Sequence, residues 1–119
     1  MGGGQYMADI DVTSKIERLE VFEERLGVTL ESLSAFVHDN GPGYSVFLIV
    51  RGELQTRNGT ELQGNIHVVV AAYDASGRII GTESLGCYVE DFFGLETFHL
   101  TVEIPLNQVS KVRIYPKKG

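Results

Sequence analysis

The sequence contains one cysteine and no long apolar run, and both features exclude classes of protein. Cys87 is the single cysteine among 119 residues, so no internal disulfide can form and a reducing compartment is favoured, although some exported bacterial domains also lack disulfides. The longest apolar run, Val46 to Val50, has the length of a strand, whereas a membrane helix needs roughly 18 apolar residues. No leader pattern opens the chain. We therefore predict no membrane span and a cytoplasmic location, or the cell envelope if the domain belongs to a longer protein.

Clustered positive charge is scarce as well. The formal net charge is −6, and acidic residues outnumber basic ones in both halves of the chain. Nucleic-acid binding requires clustered lysine and arginine side chains that displace counterions from the phosphates. The one basic cluster comprises Lys111, Arg113, Lys117 and Lys118, and a frayed strand at the end of the chain explains it equally well. The composition therefore predicts no nucleic-acid partner.

Motifs for catalysis and cofactor binding are missing from the sequence. It has no phosphate-binding loop, no dinucleotide fingerprint and no Gly-x-Ser-x-Gly motif. His38, His67, His99 and Cys87 lack the closely spaced pairs typical of zinc ligands, and nothing near Cys87 in the sequence would activate its thiol. We predict that His99 faces solvent and that Cys87 is a small buried residue. We also predict that the chain is not an enzyme and holds no cofactor or metal.

Length and composition indicate one small folded domain. A chain of 119 residues with 43% apolar and 22% charged residues can bury a core without disulfide or metal staples. Three of the 14 glycines lie at residues 2–4, and most of the others fall between apolar runs, where turns are expected. We predict a flexible tail over residues 1–8 and a single domain over residues 9–119.

The chain from Tyr44 onward has the pattern of an antiparallel β protein. Short apolar runs predict five strands, over residues 44–55, 65–73, 78–84, 97–104 and 109–115. In the fourth of these runs the apolar residues alternate cleanly with polar ones, which predicts one buried and one exposed face. Five strands without room for crossover helices favour a sandwich or a barrel.

Turn and breaker residues separate these strands. Residues 57–60 contain an Asn-Gly pair, which tolerates positive φ and predicts a tight hairpin between the first two strands. Residues 74–77 begin with Asp and end with Gly, which predicts a second reversal. Pro105 and Pro116 are expected to end the last two strands, because proline cannot donate to a ladder.

The N-terminal third of the chain is compatible with two structures. Its apolar residues are spaced three or four apart, which is a helical period, and Gly27 and Thr29 could then end one helix and begin another. Alternatively the segment is extended, and a turn over residues 39–43 pairs it with the strand that follows. We favour strands from about Leu30 onward, and residues 16–25 remain either a helix or an edge strand.

One segment resembles a known family. Residues 66–82 form an apolar strand ending in Tyr73-Asp74, then two residues, a glycine and an aliphatic return strand. Together with the alternating run at residues 96–102, this pattern resembles bacterial immunoglobulin-like sandwiches of the FxLYD type over residues 44–115. The resemblance implies an immunoglobulin-like β-sandwich that serves in binding or spacing, and it carries over no functional residues.

The loop that contains Phe92, Phe93 and Leu95 is the candidate interaction site. Adjacent phenylalanines cannot both be buried on one face of a strand, and an exposed aromatic side chain is a good interface anchor. The alternative is that the loop folds over an open end of the sandwich. An uncovered sheet edge is a second way to bind another chain, and it would allow the domain to form a homo-oligomer.

Acidic residues at the expected loop ends leave a calcium site open. Asp39, Asn40, Asp74, Glu90 and Asp91 are oxygen donors of the kind calcium prefers, but Asp and Asn are also common turn formers. We therefore expect a non-catalytic binding or structural module with an unidentified protein partner. The alternative is a ligand- or calcium-binding regulatory domain with an α+β fold and a helical N-terminal segment, and an enzyme comes third.

Overall fold

The computed structural model describes residues 8–57, 59, 61–105 and 108–119. Within them the chain forms one α-helix, α1 (Glu20–Leu26), and eight strands, which are β1 (Ala8–Asp11), β2 (Ile16–Arg18), β3 (Val28–Asp39), β4 (Val46–Thr56), β5 (Ile66–Tyr73), β6 (Ile79–Cys87), β7 (Leu95–Ile104) and β8 (Lys111–Lys118). Short 3-10 turns cover Thr13–Lys15 and Val89–Asp91. The predicted tail lies outside the described residues except for Ala8, which begins β1.

The strands form two four-stranded sheets that pack face to face. Sheet A has the order β1-β3-β4-β7 and sheet B has the order β2-β8-β5-β6. Alternate residues of β4, β7 and β8 point into the space between the sheets. The largest fully buried side chains of the core include Leu30, Leu48, Leu54 and Ile114. The predicted β-sandwich is therefore confirmed, and α1 is too short to make the fold α+β.

The two sheets approach each other closely along the edges formed by β6 and β7. A Cβ atom at Gly81 would lie 2.8 Å from the carbonyl oxygen of Glu103 and 2.8 Å from the nearest methyl carbon of Val102. Only glycine leaves room for this approach, because the atom in the way belongs to the backbone of the facing strand. The opposite edges of the sheets, β1 and β2, are joined by the short link that contains Val12.

The N-terminal segment is both an edge strand and a helix. β2 pairs in parallel with β8, Ile16 lying beside Val112, and α1 follows after a single residue. Gly27 ends α1 in the left-handed region at φ 68°, as its predicted capping role requires. The favoured strand from about Leu30 onward is confirmed, because β3 pairs with β4 from Val28 to Asp39. The alternative helix beginning at Thr29 does not form, since backbone pairing overrides a weak helical period.

Two further predictions about strand ends are wrong. Residues 57–60 do not close a tight hairpin, because β4 and β5 belong to different sheets; the link passes across the core, where Leu62 is buried, and Asn58 and Thr60 lie outside the described residues. Pro116 does not end β8, which continues to Lys118 beside β5. Since β2 stops opposite Ile114, Pro116 has no strand on its other side and its missing N–H breaks no ladder there.

Candidate functional site

The three residues of the predicted interaction site, at the loop between β6 and β7, differ in their exposure to solvent. Phe92 is only 5% exposed and belongs to the core, whereas Phe93 is 87% exposed and Leu95 is 48% exposed. The two neighbouring phenylalanines thus point in opposite directions, as the argument against burying both requires. Phe92 fixes the loop to the sandwich and Phe93 is presented to solvent.

Backbone contacts hold this loop in place on both sides. The amide of Val89 donates to the Oδ1 atom of Asn65 at 3.0 Å, and the amide of Thr56 donates to the carbonyl of Gly94 at 3.3 Å. Gly94 itself has φ 99°, a conformation that an L-residue adopts only with strain. The position of Phe93 is therefore set by its neighbours before any partner binds.

Two more apolar side chains of the same loop are exposed. Tyr88 and Val89 are 48% and 42% exposed, and they lie at the start of the same loop. We call Tyr88, Val89, Phe93 and Leu95 the apolar tip. Sequence reasoning missed the first two because Cys87, Tyr88 and Val89 have the pattern of a short continuing strand, and only the break after Cys87 turns them outward.

Cys87 directly precedes the apolar tip in the sequence, but its thiol is unreactive. Its side chain is buried in the core, as predicted. Burial raises the pKa of the Cys87 thiol to about 12, and the nearby Glu96 carboxylate acts in the same direction. The thiolate is the reactive form of cysteine, so a thiol in this environment is not a nucleophile near neutral pH.

The three histidines lie apart on the two sheets. His38 and Asp9 face each other across the β1–β3 ladder, while His67 is on β5 and His99 is exposed on β7, as predicted for His99. Among the residues that the structure describes, no three His, Cys, Asp or Glu side chains are grouped so that they could hold a metal ion.

The acidic loops lie at opposite ends of the sandwich. Asp39 and Asp74 follow β3 and β5 at one end, whereas Glu90 and Asp91 follow β6 at the other. The Oδ1 atom of Asp74 accepts hydrogen bonds from the amides of Ser76 and Arg78 at 2.9 and 3.0 Å. A third hydrogen bond, from the Ser76 hydroxyl at 2.7 Å, lowers the pKa of Asp74 most, and the amide bonds act in the same direction. Together they explain Asp74 as a turn-forming residue.

The basic cluster near the C-terminus lies on a well-formed strand rather than a frayed one. Arg113 donates to Glu17 at 2.8 Å, and the Lys111 ammonium lies 4.6 Å from the centre of the Tyr73 ring. Lys117 and Lys118 continue β8 beyond these contacts. The charge of the cluster is thus partly neutralised at one end of β8 and free of such partners, among the described residues, at the other.

The contact between His38 and Asp9 predicts a pH dependence. A hydrogen bond to the Asp9 carboxylate, with 2.5 Å between Nδ1 and Oδ1, raises the pKa of His38 above 6.5. Because the folded-state pKa is the higher one, protonated His38 stabilises the fold, fully so below pH 6.5, and this contribution is lost as the pH rises through the raised value. We expect an NMR titration to give a raised His38 pKa that Asp9→Asn returns toward 6.5. Equal titration midpoints in the two proteins would contradict the assignment.

The fold and the loop define a class of protein, a two-sheet β-sandwich with a fixed, exposed apolar tip at one end. None of the described helices is long and apolar enough to span a membrane. No protein-family model, curated protein or solved structure matches the chain.

Proposed function

We propose that the protein is a non-catalytic interaction module that binds another protein through its apolar tip. The observation that carries the proposal is the 87% exposure of Phe93 on a loop segment whose Tyr88, Val89 and Leu95 are also exposed. A large aromatic side chain exposed to this degree loses the benefit of burial, and exposed apolar groups that lie together are typical of interaction surfaces. Aromatic residues are also enriched among the side chains that dominate binding energy.

The rigidity of the tip supports the same function. Phe92 in the core, the Asn65–Val89 hydrogen bond and the Thr56–Gly94 hydrogen bond hold the loop before binding. A surface that is already ordered loses less conformational entropy when a partner docks. Phe92 holds the loop against the core, and Phe93 is left exposed to solvent.

We also propose an immunoglobulin-like topology for the sandwich. In each sheet of such folds, two neighbouring strands are not consecutive in the chain. Here β4 lies beside β7 in one sheet, and β5 lies beside β8 in the other. The β5–β6 hairpin extends the second sheet in the same way as the additional strands of variable-type domains. One difference is that the other neighbour of β8 is β2, which comes from the N-terminal segment and runs parallel to it.

The direct test places a photo-crosslinking amino acid at position 93 and expresses the full chain in the source cells. We expect a discrete protein adduct from position 93. The matched control is position 44, because Tyr44 is also an aromatic residue and is 73% exposed but lies at the opposite end of the sandwich. Adducts of equal yield from both positions, or none from position 93, would count against the proposal.

A second measurement separates a foreign partner from a second copy of the chain. Phe93→Ser removes the anchor without touching the core, so we expect its unfolding midpoint to equal that of the wild type. If the tip binds another protein, both chains are monomers by light scattering and, with the crosslinking amino acid moved to position 95, Phe93→Ser loses the adduct. If the wild type is a dimer and Phe93→Ser is a monomer, the tip joins two copies and the proposal of a foreign partner is overturned.

A further inference from the structure

Sheet B carries a second surface that the apolar tip does not include. Its outer face holds an open cleft of about 510 Å³, lined by His67, Val69, Thr82, Glu83, Ser84, Tyr115, Lys117, Lys118 and Gly119. A smaller notch of about 210 Å³ lies between α1 and the end of β8, lined by Phe22, Arg25, Leu26, Tyr115, Pro116, Lys117 and Lys118. The two share Tyr115, Lys117 and Lys118, so they form one continuous surface with Tyr115 between them.

The notch is apolar and has the size of a single side group. Phe22 and Leu26 of α1 form one wall, and Tyr115 and Pro116 of β8 form the other. The Phe22 and Tyr115 rings meet edge to face with their centres 5.7 Å apart, which fixes the shape of the opening. The notch is open to solvent, and its apolar lining is about the size of one aromatic or branched aliphatic group.

The rim of this surface is cationic although the chain as a whole is acidic. Lys117 and Lys118 border both depressions and Arg25 borders the notch. Among the described residues none of these three side chains forms a salt bridge, in contrast to Arg18 and Arg113. The hydroxyl groups of Thr82 and Ser84 and the imidazole of His67 add hydrogen-bonding groups to the cleft, while Glu83 places one carboxylate at its β6 side.

We propose that this surface binds a small carboxylate that carries one aromatic or branched aliphatic group. The carboxylate lies in the cleft beside Lys117 and Lys118, and the apolar group lies in the notch, packed against the Phe22–Tyr115 pair. Charge complementarity selects an acid over an amine, because the cations lie where the two depressions meet. The small apolar lining of the notch favours an apolar part of about one ring. The site shares no residue with the apolar tip and does not depend on the function proposed for it.

The test uses 4-phenylbutyrate as the probe and 4-phenylbutylamine as its matched cation, each titrated into the isotope-labelled full chain. We expect the acid to shift the NMR signals of α1, of the end of β8 and of His67, and the amine to leave them in place. Equal shifts from acid and amine, shifts centred on the apolar tip, or no shifts at millimolar acid would overturn the proposal.

Substitutions on the two parts of the surface make the test specific. Replacing both Lys117 and Lys118 by Gln is expected to raise the Kd for the acid about fivefold, and Glu83→Gln is expected to lower it about twofold, as for exposed charge pairs. Phe22→Ala should weaken binding, whereas Phe93→Ala, which removes a more exposed phenylalanine elsewhere, should leave it unchanged. A Kd that does not respond to the lysine changes, or that responds equally to both phenylalanine changes, would contradict the assigned site.

Discussion

Phe92→Ala is expected to lower the free energy of unfolding by about 3–5 kcal/mol, the cost of removing a phenylalanine from a packed core. Phe93→Ala, one residue further along, should change the same free energy by less than about 0.5 kcal/mol, as for most surface substitutions. The contrast follows from their exposures, 5% for Phe92 and 87% for Phe93. Few pairs of adjacent identical residues offer so direct a comparison.

The measurement is equilibrium unfolding in urea, with the wild type and both variants compared at the same pH. The slope of the transition should stay the same in all three, since a change in slope would indicate a change in the exposed surface rather than in stability alone. Comparable losses from the two variants would show that Phe93 is packed in solution, and would remove the basis of the apolar tip. Loss of binding without loss of stability in Phe93→Ala would assign that residue to interaction.

Arg18→Met is expected to destabilise the fold by about 3–5 kcal/mol, because it leaves a buried carboxylate without its cation. Glu23 is 0% exposed, and its Oε1 atom accepts hydrogen bonds from the Arg18 guanidinium at 2.6 Å and from the Leu30 amide at 3.1 Å. The second bond joins α1 to β3, so the carboxylate connects the helix to both sheets. Hydrogen bonding to Glu23 also raises the pKa of Arg18, which stays charged.

The double variant Arg18→Met, Glu23→Leu separates the cost of a broken pair from the value of the pair itself. Well-packed apolar residues often replace a buried ion pair at little cost, so we expect the double variant to regain most of the lost stability. Arg113→Met is the matched control, since its partner Glu17 is 44% exposed and exposed pairs contribute at most about 1 kcal/mol. If Arg18→Met costs no more than Arg113→Met in urea unfolding, Glu23 is solvated in the native protein.

Local patterns in the sequence predicted most of the strands of the sandwich. The run that became β7 alternates between buried and exposed residues along most of its length, and alternation depends only on the two-residue period of a strand. The reversal at Asp74 to Gly77 was also predictable, because the Asp side chain bonds to the backbone of its own turn. Gly27 was recognised as a helix end for a similarly local reason, its left-handed conformation.

These local patterns do not show which strands pair with each other when they are distant in the sequence. An Asn-Gly pair looks the same whether the strands beside it pair with each other or enter different sheets, so the predicted hairpin at residues 57–60 was wrong. Pro116 was predicted to end a strand because the sequence does not show which strands flank it. A proline is accepted within β8 because β2, which comes from the other end of the chain, stops before reaching it. The buried position of Glu23 was likewise not visible, because acidic residues are seldom buried without a partner and that partner is identified only in the fold.

The sequence by itself determined that this is a small, mainly β domain whose β6–β7 loop has to expose one of two phenylalanines. Only the tertiary structure decided which one, since the direction of each side chain follows from how the loop is anchored to Asn65, just before β5, and to Thr56 at the end of β4. The cleft and the notch around Tyr115 arise in the same way, from strands and a helix that are distant in sequence. The periodicity of a sequence indicates which residues are buried. A binding site depends on which helices and strands are neighbours, and the packing of the fold determines those neighbours.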